Sequence, residues 1–236
     1  MSIIKEVIMN DFDFGGDLAT NPSPRIPVCI CVDTSRSMSY HNRIGLIRDG
    51  LIGLYEELKA DFQLANSAEI SIVTFSNEAE VLEDFATVAE KNLPQFKVGG
   101  NTVLGEGVDL SLDLLEKRKE LYKQNGLDYY QPWLIIMTDG ASYGEPKATL
   151  QRAQDRTYRL EYSKKLVVIP ISVGDSAKRE ELERFTSKPH TVTSVEGAQF
   201  KAFFSFISKS VAQVVQSAGK AEIDLDIEDV LDWGEL

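Results

Sequence analysis

Regular alternation between strand-type and helix-type apolar patterns is the feature that most constrains this chain. Ile26 to Val32 (IPVCICV) and Trp133 to Met137 (WLIIM) are continuous apolar runs of strand length. Such runs are typical of strands that are buried on both faces. After the first run, Ile44, Ile47 and Leu51 are spaced by three and four residues, which predicts a helix packed against a sheet.

The order of the predicted elements indicates the fold class. Strands are predicted at 26–32, 70–75, 79–85, 133–137 and 166–173, and helices at 41–59, 104–115, 146–162, 179–185 and 200–215. Because parallel neighbours require a crossover, which is usually helical, the alternation predicts an α/β fold. We expect a doubly wound, mostly parallel sheet with helices on both faces and one short antiparallel edge strand. Pro170 argues for a local break in the last strand or against a central position for it.

The composition and the positions of glycine, proline and acidic residues suggest one domain with two extensions. Hydrophobic residues make up 43% of the 236 residues, which is sufficient for one core. Residues 1–25 contain Gly15, Gly16, Pro22 and Pro24 and are interpreted as an N-terminal extension. The domain is placed at 26–219 and an acidic C-terminal tail at 220–236.

The start of the chain and its cysteines bear on location. Met1 to Asn10 has no basic start or small-residue cleavage site, and no apolar window is long enough to span a membrane. Cys29 and Cys31 lie two apart in a predicted strand, a poor geometry for a disulfide. We therefore expect a cytoplasmic protein without membrane insertion.

The charge is strongly acidic and unevenly distributed. The 25 Lys and Arg residues against 37 Asp and Glu residues give a net charge of −12, which argues against a nucleic-acid partner. Residues 221–236 carry seven acidic residues and no basic residue. Two hypotheses for this tail have similar weight: a disordered solubilising segment, or a docking segment that uses Asp229, Asp232 and Trp233.

Five oxygen-bearing side chains lie in three predicted loops: two loops that follow buried strands, and one that follows Gly99-Gly100 and precedes a helix. These side chains belong to Asp33, Ser35, Ser37, Thr102 and Asp139. In open α/β sheets ligands bind outside the carboxyl ends of the strands, so we expect these groups to converge there. Each residue taken alone could simply cap a helix.

Hard oxygen donors without imidazole or thiolate favour Mg²⁺ or Mn²⁺, and less strongly Ca²⁺, over zinc. Few protein ligands and only two carboxylates would leave an open position that favours an incoming carboxylate. Arg36, Asn101 and Gly140 are predicted to lie on the same ligand face.

These motifs resemble those of the von Willebrand factor A domain family over about 26–219. The resemblance rests on Asp33-Thr-Ser-Arg-Ser37, on Thr102 in a later loop, and on Thr138-Asp139-Gly140. It implies a metal-ion-dependent adhesion site in which Ser35, Ser37 and Thr102 contact the ion in one state. It also implies that Asp33 and Asp139 bind directly or through water, that a partner's Asp or Glu completes the shell, and that the last helix shifts between states.

The pattern is most similar to the TerY-type branch associated with bacterial tellurite resistance, on the basis of residues 100–107 and 133–140. That resemblance implies a stress-response context. Arg36 replaces the glycine that is common between the two serines of the family, which places partner preference in question.

Two classes of function follow from these residues. The favoured one is a non-enzymatic, metal-dependent adhesion or scaffold module that binds an acidic residue of a protein partner. The alternative is a Mg-dependent phosphohydrolase that uses Asp33, but its second Asp is expected where Ser35 stands. The partner, the pathway and the oligomeric state are left open.

Overall fold

The computed structural model describes residues 16–91, 94–174 and 179–218. Within them a six-stranded sheet is flanked by helices on both faces. The strands are β1 (Ile26–Asp33), β2 (Ala68–Phe75), β3 (Ala79–Thr87), β4 (Trp133–Thr138), β5 (Val167–Val173) and β6 (Thr193–Val195). The α-helices are α1 (Gly16–Thr20), α2 (Arg43–Lys59), α3 (Phe62–Ser67), α4 (Leu104–Gln124), α5 (Lys147–Tyr162), α6 (Arg179–Glu183) and α7 (Gln199–Gln216).

The sheet is doubly wound, as predicted. Its strand order is β3-β2-β1-β4-β5-β6, in which only the β2–β3 pairing is antiparallel. The chain runs outward from β1 to β2 and β3 and then returns to the other side of β1 at β4. The strand order therefore reverses between β1 and β4, and crevices at such reversals are the usual ligand sites of open α/β sheets.

Alternate residues of β1 point into two separate cores. Ile30 packs in the core formed with α2 and α7, and Cys31 packs in the core formed with α4 and α5. Both side chains are fully buried, which explains why β1 is apolar from Ile26 to Val32 and does not alternate. Cys29 and Cys31 are free thiols, and burial raises the pKa of Cys29 to about 12. They act as small core residues.

Three short elements were not predicted, because each is too short to show a periodic pattern. They are α1, α3 and β6. The Asp61 side chain caps α3 by accepting hydrogen bonds from the backbone amides of Gln63 (2.8 Å) and Leu64 (3.0 Å). Pro170 lies inside the continuous strand β5 and aligns with Ile136 in an unbroken register with β4, so the predicted local break is not found there. Among the described residues, pairing of β5 with β6 begins at Ile171, so Pro170 has a neighbouring strand on one side only, consistent with the alternative expectation that it avoids a central position.

The described part of the predicted N-terminal extension packs against the domain. Leu18 and Arg25 are buried, and the Arg25 guanidinium donates to the backbone oxygen of Asn66 (2.8 Å). The predicted tail at 220–236, with Asp229, Asp232 and Trp233, lies outside the described residues. In the described part of the chain, the helices are too short or too polar to span a bilayer.

Candidate metal centre

Asp33 is the last residue of β1 and is fully buried at the crevice between β1 and β4. Its Oδ1 accepts a hydrogen bond from the Ser35 amide (2.7 Å), and its Oδ2 accepts one from the Thr138 hydroxyl (2.5 Å). Burial raises the pKa of Asp33 to about 6, although hydrogen bonds from Thr138 and Ser35 oppose the shift. One carboxylate oxygen is therefore held by the loop that follows β1 and the other by the last residue of β4.

The two serines connect Asp33 to Asp139. Ser35 Oγ lies 3.1 Å from Ser37 Oγ, and Ser37 Oγ donates to Asp139 Oδ1 (2.7 Å). The Asp139 side chain is only 2% exposed. The structure thus brings four of the five predicted residues into one continuous set of polar contacts, although they are up to 106 positions apart in the sequence.

The loop that carries Thr102 is held beside the other two loops by backbone hydrogen bonds. The Gly99 amide donates to the Thr34 carbonyl (2.8 Å), and the Arg36 amide donates to the Gly100 carbonyl (3.4 Å). Thr102 and Tyr143 exchange two backbone bonds of 3.1 and 2.8 Å. The Thr102 side chain is largely buried, and among the described residues its hydroxyl makes no hydrogen bond to the other four predicted ligands.

Glycine is required at position 100. Its φ of +85° is left-handed, and an added Cβ would lie 2.7 Å from the Asn77 side chain. The Asn77 Oδ1 also accepts a hydrogen bond from the Asn101 amide (3.0 Å). The Gly-Asn-Thr turn is consequently fixed against the β2–β3 connection.

The predicted ligand-face residues also lie at this edge. The Arg36 and Asn101 residues are exposed, whereas Gly140 is half-buried and its amide donates to the Thr138 hydroxyl (3.1 Å). Tyr40 and Tyr143 belong to the loops after β1 and β4 and are 60% and 72% exposed. Two aromatic side chains and one arginine are therefore available on the loops around the crevice.

Sequence analysis did not identify Arg43, which forms an ion pair with Asp139 through Nη1 and Oδ2. Arg43 is the first residue of α2, and it follows His41 and Asn42, both of which have a φ of +54°. This left-handed kink directs the start of α2 toward the crevice. Arg48 lies on the same helix, and nothing in the sequence distinguishes the two arginines.

The donor set fits a hard divalent cation. It consists of two carboxylates and three hydroxyls, with no nitrogen or sulfur. Within the described residues, no group of three or more His, Cys, Asp and Glu side chains is placed to bind a metal. A metal at this position would therefore depend on the hydroxyls as much as on the carboxylates.

A family model described as von Willebrand factor type A domain matches residues 28–212. A search of curated protein sequences found no match. Solved structures are similar at low identity, which indicates a common fold.

The pilus adhesin SpaC from Lactobacillus rhamnosus GG, in its open conformation, is 14% identical with a TM-score of 0.62, and the match covers 80% of this chain and 30% of SpaC. The vWF domain of the type V pili tip protein Mfa5 from Porphyromonas gingivalis is 10% identical with a TM-score of 0.63, covering 82% of this chain and 97% of that domain. Proximal thread matrix protein 1 from the mussel byssus, with a zinc occupied MIDAS motif, is 19% identical with a TM-score of 0.50, covering 84% and 47%. The chain thus spans less than a third of SpaC and about half of the mussel protein.

Proposed function

This chain belongs to the von Willebrand factor type A domain family, and from that premise we propose that it is a divalent-metal-dependent protein-binding module. A partner's Asp or Glu would complete the shell of an ion that is held by Asp33, Ser35, Ser37, Thr102 and Asp139. The observation that carries the proposal is that the loop after β1 contacts the loop after β4 at the β1–β4 crevice. There Ser37 Oγ lies 3.1 Å from Ser35 Oγ and 2.7 Å from Asp139 Oδ1.

The proposed ion is Mg²⁺ or Mn²⁺, with Ca²⁺ less favoured. All five donors are hard oxygens, and a small octahedral ion would retain water where the protein supplies too few ligands. Zinc, which the mussel protein holds in its MIDAS motif, favours nitrogen and sulfur donors. When bound, the ion would supply a positive charge that attracts an acidic side chain.

The surroundings of the crevice support a protein partner. Arginine and aromatic residues are enriched among the side chains that contribute most to protein interfaces. Exposed Arg36, Tyr40 and Tyr143 lie on the loops that carry the proposed ligands. We propose that the ion binds the partner's carboxylate while these side chains contact the residues that flank it.

The geometry favours a binding role over phosphoester hydrolysis. A nucleophilic Asp must reach the phosphorus of its substrate, whereas Asp33 is fully buried, and Ser35 stands where the second Asp of the hydrolase alternative is expected. We propose that the chain does not turn over phosphoesters. Turnover of p-nitrophenyl phosphate that disappears in Asp33→Asn would contradict this and restore the hydrolase alternative.

The biological context is part of the proposal. On the pattern of residues 100–107 and 133–140, we propose a TerY-type role in a stress-response or tellurite-resistance complex in the cytoplasm. We also propose that the complete set of five ligands is functional.

Isothermal titration calorimetry with MgCl₂ and MnCl₂ tests the metal site directly. We expect wild type to bind one ion and Asp139→Ala to lose most of that affinity. Asp155→Ala is the matched control, because Asp155 is an exposed aspartate on α5. Absence of binding in wild type, or equal loss in both variants, would contradict the proposal. Affinity purification with and without chelator would then identify the partner.

A further inference from the structure

We propose that Arg43 is the residue that sets the charge balance of the metal centre, weakening its affinity for the cation and strengthening its preference for an anionic partner. The inference rests on the proposed function. It goes beyond that function because it assigns an opposing effect on the two binding steps to one side chain outside the ligand set.

The first argument is that both oxygens of Asp139 are engaged by different groups. Ser37 donates to Oδ1 at 2.7 Å, and Arg43 forms the ion pair at Oδ2. The side chains of Asp139 and Arg43 are 2% and 20% exposed, so solvent and salt screen the pair only weakly. The guanidinium therefore occupies Oδ2, one of the two Asp139 oxygens that could otherwise bind the ion.

The second argument is that the position of Arg43 is built by the fold. The left-handed kink at His41 and Asn42 sets the start of α2. Beyond β5, Gly174 has a φ of +83°, and an added Cβ would lie 2.3 Å from the Arg43 Nη2. The guanidinium is thus packed between Asp139, after β4, and the Gly174 backbone, after β5.

The third argument is the formal charge of the contacting groups. Asp33, Asp139 and Arg43 together carry one negative charge, so a divalent cation would leave one positive charge and a partner carboxylate would neutralise it. Without Arg43, the bound cation would already be neutralised and a carboxylate would add an excess negative charge. Arg43 should therefore oppose the cation by like-charge repulsion and favour the carboxylate by attraction.

Calorimetry on matched variants tests this inference. We expect Arg43→Gln to bind MgCl₂ roughly tenfold more tightly than wild type, because a positive charge near the ion is removed. With saturating Mg²⁺, the same variant should bind a short blocked poly-glutamate peptide roughly tenfold more weakly, with the poly-glutamine peptide as the uncharged probe. Arg43→Lys keeps the charge and should stay close to wild type in both measurements.

Arg48→Gln provides the control, because Arg48 is a half-exposed arginine of the same helix whose ion pair is with its neighbour Asp49. A thermal melt of each variant checks that it folds. Opposite changes in the two affinities support the inference. Parallel weakening of both affinities would assign Arg43 a purely structural role and overturn it, as would two unchanged affinities. If wild type itself bound no metal, the proposed function would fail first, and this result is distinguishable from the others.

Discussion

At the residue scale, hydroxyl groups allow two carboxylates to lie together in the crevice. Thr138 donates to Asp33, and Ser37 donates to Asp139, so each carboxylate has a neutral partner that stabilises its charge. Without such donors, a fully buried Asp33 would be costly to ionise. The Ser37 hydroxyl is also a proposed metal ligand, so it would stabilise Asp139 in the protein alone and contact the ion in the complex.

The raised pKa of Asp33 predicts a pH-dependent metal affinity. The proton on Asp33 competes with the cation below the pKa of about 6. We expect the Kd for Mg²⁺ to increase up to about tenfold per pH unit below pH 6 and to be nearly constant above pH 7. Calorimetry between pH 5 and 8 measures this dependence. A Kd that is independent of pH over that range would contradict the assignment of Asp33 to the site.

The same pKa predicts the sign of a stability effect in the absence of metal. Because the pKa in the folded protein exceeds the ordinary value of 3.8, the folded state binds more protons than the unfolded state between about pH 4 and 6. The contribution of Asp33 to the free energy of unfolding therefore decreases as the pH rises through this window. Asp33→Asn should remove that contribution, and urea unfolding of both proteins at pH 4.5 and pH 7 in chelator would show it.

At the element scale, Glu145 connects the start of α4 to the loop after β4. Its Oε1 accepts from the Gly105 amide (2.7 Å) and its Oε2 from the Glu106 amide (3.1 Å), which are free donors in the first turn of α4. Ser142 donates its hydroxyl to the same carboxylate. This one side chain consequently couples the loop that carries Asp139 to the helix that follows Thr102.

Removing this cap should weaken both the helix and the metal site. We expect Glu145→Ala to lower the free energy of unfolding by about 1–2 kcal/mol, because a helix N-terminus loses its anionic acceptor. The Kd for Mg²⁺ should also increase, since Thr102 precedes the uncapped turn. Glu180→Ala is the control, as Glu180 is an exposed acid in the first turn of α6. Chemical denaturation measures the stability and calorimetry measures the metal affinity. An unchanged metal affinity would show that the Glu145 cap does not support the metal site.

Two glycines of α2 make a matched pair for the contact with α7. An added Cβ at Gly50 would lie 2.2 Å from the Phe204 ring, whereas nothing lies within 4 Å of one at Gly53. Gly50→Ala should lower the free energy of unfolding by about 1–3 kcal/mol through overpacking. Gly53→Ala should raise it by about 0.5–1 kcal/mol through helix propensity. Urea unfolding of both variants tests the pair; changes of the same sign would mean that α7 does not pack as closely as described.

At the scale of the whole molecule, the two edges of the sheet have different chemistry. The carboxyl edge carries the polar loops of the candidate metal centre. The amino edge contains a buried charge network in which Glu69 lies between two arginines, with Arg25 Nε at 2.9 Å and Arg118 Nε at 2.6 Å. The Tyr122 hydroxyl also donates to Glu69 (2.6 Å). This network joins β2, α4 and the chain segment that enters β1.

Loss of the central carboxylate should destabilise the entire domain. In Glu69→Gln, two buried guanidinium groups would lose their counter-charge, and breaking such buried pairs typically costs about 3–5 kcal/mol. The Mg²⁺ affinity should change little once the variant is folded, because the site lies at the other edge. Urea unfolding gives the stability, and Glu116→Gln provides a partly exposed acid of α4 as control. Equal stability of the two variants would argue against the network.

The fold class and most of the site follow from the sequence because both depend on local patterns. Strand and helix periodicity are properties of neighbouring residues. Asp33 is recognisable because it directly follows an apolar run, and Asp139 because it follows another run after Thr138. The tail with Asp229, Asp232 and Trp233 stays a prediction from composition.

Contacts between distant residues were decided only by the tertiary structure. Arg43 and Glu145 have no local pattern that marks them, and each gains its role from a partner 96 or 40 positions away. Likewise, β6 is recognisable as a strand only through its pairing with β5. The physical reason is that propensity and periodicity act along the chain, whereas ion pairs, caps and the convergence of ligands depend on which segments the folded sheet brings together.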